Sequence, residues 1–281
     1  MSFLFYTGLI PLRWSFVFYV LGIALSGHTQ IENSFPMYQM SNTINRFDRI
    51  GYMRNYYPDL SFTKSPVQSV DSISQLKIAG SHFARIYSKV MTNEEQQITG
   101  IDSAASTFIR KFEIHFADYF LQACKDDMNG NLSSSSAWKN LFSNPSAQSL
   151  RLTLMGINAH VNGDIWQTLV NNFPEKEIRL HKKAFLACQS SIVKVYYPFF
   201  DSIALQSWYL KFMRSFTKGL VKNLGERILY KWRHRQVSLA ILYYHDHEKF
   251  EKRLAHVNRK KEKIDQLLLH GLNLIVPKNS T

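Results

Sequence analysis

The stretch that most restricts the fold is Leu152-Thr-Leu-Met-Gly-Ile-Asn-Ala-His-Val-Asn-Gly-Asp-Ile-Trp-Gln-Thr-Leu169. Placed on a helical wheel, Leu154, Ile157, Val161, Ile165 and Thr168 fall within one arc of about 80°. His160 and Asp164 border that stripe on one flank, Asn158 and Asn162 on the other. Both pairs are spaced i,i+4, so their Cβ atoms stack roughly 5–6 Å apart. A face that must be buried is thus edged by four side chains that need hydrogen-bond partners. Leaving one of them unpaired costs about 1–3 kcal/mol.

The rest of the chain repeats the helical period. Phe83, Ile86, Tyr87 and Val90 mark one face, and Ala105, Phe108, Ile109, Phe112, Phe116, Tyr119, Phe120 and Ala123 another. Ser65-Pro66 and Asp102-Ser103 read as helix starts. The turn-formers and serines between Asp126 and Ser136 read as a solvated loop, and Asn144-Pro145 as the opening of the central helix. Further helices are expected from Glu175 to about Tyr197, stopped by Pro198, and from Phe200 to Leu224, stopped by Gly225. A long, basic, amphipathic helix follows from Glu226 to about Leu269, with a bend near His245-Asp-His247 and the stripe Ile228, Trp232, Leu239, Leu242 turned inward. No alternating run of useful length argues for a strand. The expected class is all-α: a multi-helix bundle with a long basic C-terminal helix.

Charge and composition set the address. The net charge of +13 is concentrated late, with 15 Lys and Arg against 5 Asp and Glu between Lys211 and Lys263. At the N-terminus, Arg13 precedes the uncharged run Trp14–Leu25 and small residues around Ser26, the parts of an export signal. The expected layout is a signal over 1–26, or an uncleaved anchor, and a lead-in segment over 27–64. A helical core over 65–225 and the basic helix with its tail over 226–281 complete it. The protein is therefore expected to be exported, periplasmic or secreted, or held at a membrane. Cys124 and Cys188 match no metal or redox spacing and sit in apolar helical patterns, where two buried thiols fit better than a disulfide.

Three pieces resemble one bacterial family of unknown function: His82-Phe-Ala-Arg-Ile-Tyr87, Phe112-Glu-Ile-His-Phe-Ala-Asp-Tyr-Phe120 and Asn158-Ala-His-Val-Asn-Gly-Asp-Ile165. The last is similar to the family's Asn-Ala-His-Ile-Asn-x-Asp-Leu signature, and Trp138 falls where its tryptophan is expected. The resemblance covers roughly residues 80–170 and implies a shared helical fold. It brings no reaction.

His160 and Asp164 carry the donors that bind zinc or iron, and one-turn spacing lets both reach one ion. Glu113 is the first choice for a third ligand or an acid–base partner, ahead of His82, His115, Asp118 and His181. The three are expected to meet across a helix–helix contact, in a pocket lined by Phe112, Phe116, Asn158 and Asn162. Read structurally, the same residues form a hydrogen-bonded network without an ion. No phosphate loop, dinucleotide fingerprint, Gly-x-Ser-x-Gly elbow or zincin motif is present. Two function classes stay open. One is a metal-dependent hydrolase with a divalent cofactor. The other is a non-catalytic helical protein binding a small apolar ligand, a protein partner or an anionic membrane surface. The basic Lys231-Trp-Arg-His-Arg235 region suits such a surface better than nucleic acid in an exported chain.

Overall fold

Ser65 starts the described part of the chain with a reciprocal cap. Its hydroxyl accepts from the Gln68 N–H at 3.4 Å, and the Gln68 side chain accepts from the Ser65 N–H at 3.2 Å. The computed structural model describes residues 65–98, 102–131, 136–204 and 220–270. The export segment, the lead-in segment and most of the helix expected over 200–224 lie outside them.

The described elements are α1 (Pro66–Ser74), α2 (Gly80–Ile98), α3 (Ser103–Met128), the short α4 (Lys139–Phe142) and α5 (Ser149–Ala159). A π-helical turn (His160–Asp164) joins α5 to α6 (Ile165–Asn172). Then come α7 (Glu175–Ala187), α8 (Gln189–Ala204), α9 (Leu220–His245) and α10 (His247–His270). No strand occurs among the described residues, and the fold is an all-α multi-helix bundle.

The central rod of α5, the π turn and α6 is the hub. α2 packs on α5, α3 and α9 on α6, and α10 on α5 and the π turn. Every residue from Leu152 to Ile165 is buried, so burial runs round the whole helix rather than along one stripe. Two glycines allow that closeness. A Cβ on Gly156 would lie 2.5 Å from Phe83 Cβ on α2, and one on Gly163 would lie 2.5 Å from Ala137 Cβ.

Four local expectations are corrected. The rod begins at Ser149, after a turn, rather than at Asn144-Pro145. α7 ends at Ala187, and Pro198 lies inside α8 instead of stopping a helix. An interior proline forfeits one backbone bond and crowds the preceding turn, at about 3 kcal/mol. The burial of Ile192 and Val193, on a helix packed against α2 and α9, offsets that cost. Gly225 lies within α9 and caps nothing. Finally, the inward face of α9 is rotated from the expected stripe: Leu229, Arg233, Gln236, Val237, Leu239 and Ala240 are buried, while Ile228, Trp232 and Leu242 are only half-buried.

Other expectations hold. Asp102 caps α3 by accepting from the Ala105 N–H at 3.2 Å. The long C-terminal pattern breaks at Asp246, which then caps α10 by accepting from the Lys249 N–H at 2.9 Å. Cys124 and Cys188 are both buried and unpaired.

Candidate functional site

The signature residues build two networks that leave the rod in different directions. On one side, His160 Nδ1 lies 2.9 Å from Asp164 Oδ2, and the Trp138 indole N–H donates to that same oxygen at 3.0 Å. Indole can only donate, so Oδ2 accepts, and one proton lies on the Nδ1–Oδ2 line. The imidazole is stacked on Phe116 with centroids 3.5 Å apart, with Tyr87 at 4.6 Å and Phe83 at 5.3 Å. His160 Nε2 and Asp164 Oδ1 have no hydrogen-bond partner. Burial drives His160 well below the usual histidine range. It drives Asp164 well above the carboxylate range, opposed by the Trp138 N–H and the Lys261 ammonium. An isolated charge in this aromatic enclosure is disfavoured on either residue.

On the other side, the Asn158 amide donates to the Lys261 carbonyl at 3.0 Å and to Asp265 Oδ1 at 2.8 Å. Asn162 donates to Asn158 Oδ1 at 2.9 Å. Asp265 Oδ2 also accepts from Lys261 Nζ at 2.8 Å and from the Asn140 amide at 2.9 Å. The asparagines thus fasten α10 to the rod through a buried ion pair.

The π turn sits between these networks. Three side chains donate to its carbonyls: Gln236 to that of Asn162 at 3.1 Å, and Gln167 to that of Gly163 and Thr168 to that of Asp164, both at 2.9 Å.

Glu113 belongs to a third group. Its carboxyl is hydrogen-bonded to that of Glu94 on α2, with the Arg233 guanidinium of α9 as counter-charge. Burial raises both carboxyls, Glu113 furthest because the negative charge of Glu94 adds to its burial while Arg233 opposes it. Arg233 is buried, donates to the Phe185 carbonyl at 2.9 Å and stands 4.2 Å over the Phe185 ring. Tyr87 links the groups: it touches His160, and burial raises its hydroxyl, with Glu113, Glu94 and Asp164 adding to the effect.

This arrangement departs from the expected single pocket. Phe116 does line the His160 side, but Phe112 packs between Phe116 and Phe185. Asn158 and Asn162 point to α10 instead. Among the described residues, no three His, Cys, Asp or Glu side chains converge to hold an ion, so the set His160, Asp164 and Glu113 is not assembled as a metal centre. The reason is electrostatic: Glu113 is already engaged with Glu94 and Arg233. Nor do the weaker candidates join. His115 and Asp118 lie 3.8 Å from each other, both well exposed, His181 stacks on Phe108, and burial holds His82 neutral with its pKa down to about 4. His245 contacts Glu175 and Arg179, tying α9 to α7, so the His245-Asp-His247 run is no ligand cluster.

The comparisons with known proteins extend the similarity well past the signature. A family described as a family of unknown function (DUF5995) matches residues 70–271, from α1 to the end of α10. The chain belongs to that family. No curated protein and no solved structure matches it. The DUF5995 region therefore includes Arg233, Lys261 and Asp265 as well as the signature.

Sequence reasoning missed Glu94, Arg233, Gln236, Lys261 and Asp265. A signal existed for two of them. Glu94 continues the face of Phe83, Tyr87 and Val90 at helical spacing, and Arg233 stands one turn from Leu229 and Val237. Long charged residues inside such faces read as solvated until their partners on other helices are known.

Proposed function

We propose that this DUF5995 protein is a non-catalytic helical binding protein whose signature cluster is a structural lock and whose partner is met on its surface. The observation that carries this reading is the destination of the signature's hydrogen bonds. Asn158, Asn162, His160 and Asp164 are each no more than 3% exposed and spend their bonds on the same chain: Trp138, Lys261, Asp265 and one another. A metal-dependent hydrolase, the other class open from the sequence, would need a third donor beside His160 and Asp164. Glu113 would have to abandon Glu94 and Arg233 to supply it. Export with loss of the first 26 or so residues belongs to the same proposal, supported by Arg13, the apolar run after it and the small residues around Ser26.

The test is elemental analysis of protein purified without chelators, combined with unfolding of His160→Gln and Asp164→Asn. The expected result is no stoichiometric zinc or iron, and a stability loss of about 1–3 kcal/mol in each variant with helix content retained. Stoichiometric metal in the wild type that disappears in Asp164→Asn would overturn the reading.

A further inference from the structure

The surface between α7 and α9 carries a feature that the lock does not use. A groove of about 510 Å³ is bordered by Arg179, Leu180, Lys182 and Lys183 from α7 and by Tyr230 and His234 from α9. None of its lining residues is acidic. Arg179 is paired with Glu175 beyond the groove, and no acid pairs with Lys182 or Lys183 among the described residues. Partial burial, and after it the neighbouring Lys182 ammonium, lowers the pKa of His234. Apolar surface stands among these cations. Leu180 is 69% exposed and Tyr230 46%, and both rank with the few large hydrophobic side chains left open to solvent.

We propose that this groove docks the chain on an anionic phospholipid surface, with Lys182 and Lys183 at the phosphate headgroups and Leu180 and Tyr230 reaching the boundary of the acyl layer. The pairing of the two chemistries selects this partner. An acidic peptide or a nucleic acid would neutralise the lysines but leave Leu180 in water. A lipid interface takes both, because cations favour the headgroup plane while an aliphatic side chain gains from the layer beneath and a tyrosine ring straddles the two. Attachment would be peripheral: among the described residues no helix is long and apolar enough to cross a membrane. The inference rests on the reading of the chain as a binding protein and names its partner.

The experiment is co-sedimentation of the full chain with vesicles of phosphatidylcholine alone and of phosphatidylcholine with about 30% phosphatidylserine, at low and physiological salt. The apolar run 14–25 and the other basic residues of this chain of net charge +13 are common to every variant, so the change in phosphatidylserine preference from wild type to the groove variants isolates the groove. Wild type should bind the phosphatidylserine vesicles more tightly, and less so as salt rises. Lys182→Gln/Lys183→Gln should reduce the phosphatidylserine-dependent partition coefficient about thirtyfold, at roughly 1 kcal/mol per basic residue. Leu180→Ser should weaken binding without changing its salt dependence. Equal binding of wild type to both vesicle types, or an unchanged lipid preference in the double variant, would overturn the proposal. So would tighter binding to polyglutamate or duplex DNA at the same salt, lost in the same variant. A failed lipid preference leaves the structural reading of the signature standing, whereas metal found in the wild type would remove that reading without moving the lipid result.

Discussion

The ion pair between Lys261 and Asp265 gives the sharpest quantitative test of how α10 is held. Its side chains are 6% and 2% exposed and meet at 2.8 Å, with Asn158 and Asn140 completing the carboxylate's bonds. Removing one partner of such a pair leaves the other charge buried, which costs about 3–5 kcal/mol. Asp265→Leu should therefore be the most damaging single change: it strands the Lys261 ammonium and takes one acceptor from Asn158, which keeps the Lys261 carbonyl. Lys261→Met should cost less, because the carboxylate retains two amide donors. The double variant Lys261→Met/Asp265→Leu should recover most of the loss, since exchanging a buried pair for apolar side chains of similar size is often neutral.

The assay is urea unfolding followed by far-ultraviolet circular dichroism, arranged as a double-mutant cycle. For a domain of this size, the Asp265→Leu loss corresponds to a fall in Tm of roughly 6–20 °C. Limited proteolysis should cut first within α10. A loss under about 1 kcal/mol for Asp265→Leu, the range of exposed pairs, would refute the claim that this pair closes the bundle, and so would additive single effects.

Three other outcomes follow from the same geometry. His160 is depressed from 6.5, so the unfolded chain takes up protons that the folded chain refuses, and this contribution to stability is present above pH 6.5 and lost as pH falls below it. Glu113 is raised from 4.5, so its contribution is present below pH 4.5 and is lost as pH rises toward its folded value. Unfolding across pH 4–9 should show Glu113→Gln gaining on wild type as pH rises and His160→Gln gaining as pH falls; parallel curves would contradict both directions. Gly163→Ala should destabilise by about 1–3 kcal/mol in thermal melts, because its new methyl meets Ala137 Cβ at 2.5 Å in a packed interior. Cys124 and Cys188, with thiols that burial pushes well up and up to about 12, should resist an aromatic disulfide reagent until the chain unfolds.

How much of this was legible depends on whether a residue's partners are local. The helices of the core follow from 3.6-residue spacing, and Ser65 and Asp102 cap as their positions imply, because a cap is made within three residues. His160 with Asp164 was equally local: one turn apart, the two side chains find each other. Pro198 misled for the opposite reason, since the packing of α8 on α2 and α9 overrides a propensity that a single segment displays. The division of the signature was illegible as well. Asn158 and Asn162 look equivalent to His160 and Asp164 on a wheel, yet their partners lie on α10, about a hundred residues later.

The π turn makes the same point at the level of the backbone. Nothing between His160 and Asp164 requires an i→i+5 turn. Within it, the Asn162 carbonyl accepts a hydrogen bond from a partner on another helix. That partner is Gln236, 74 residues away and fully buried on the inward face of α9. The turn and α9 are therefore coupled: without the Asn162 carbonyl, the amide N–H of Gln236 would be buried with no acceptor. Gln236→Leu should accordingly destabilise by about 1 kcal/mol through the lost hydrogen bond, even though leucine fits a buried helical face. Unfolding of that variant at wild-type denaturant concentrations would show the turn to be independent of α9 and the coupling to be absent.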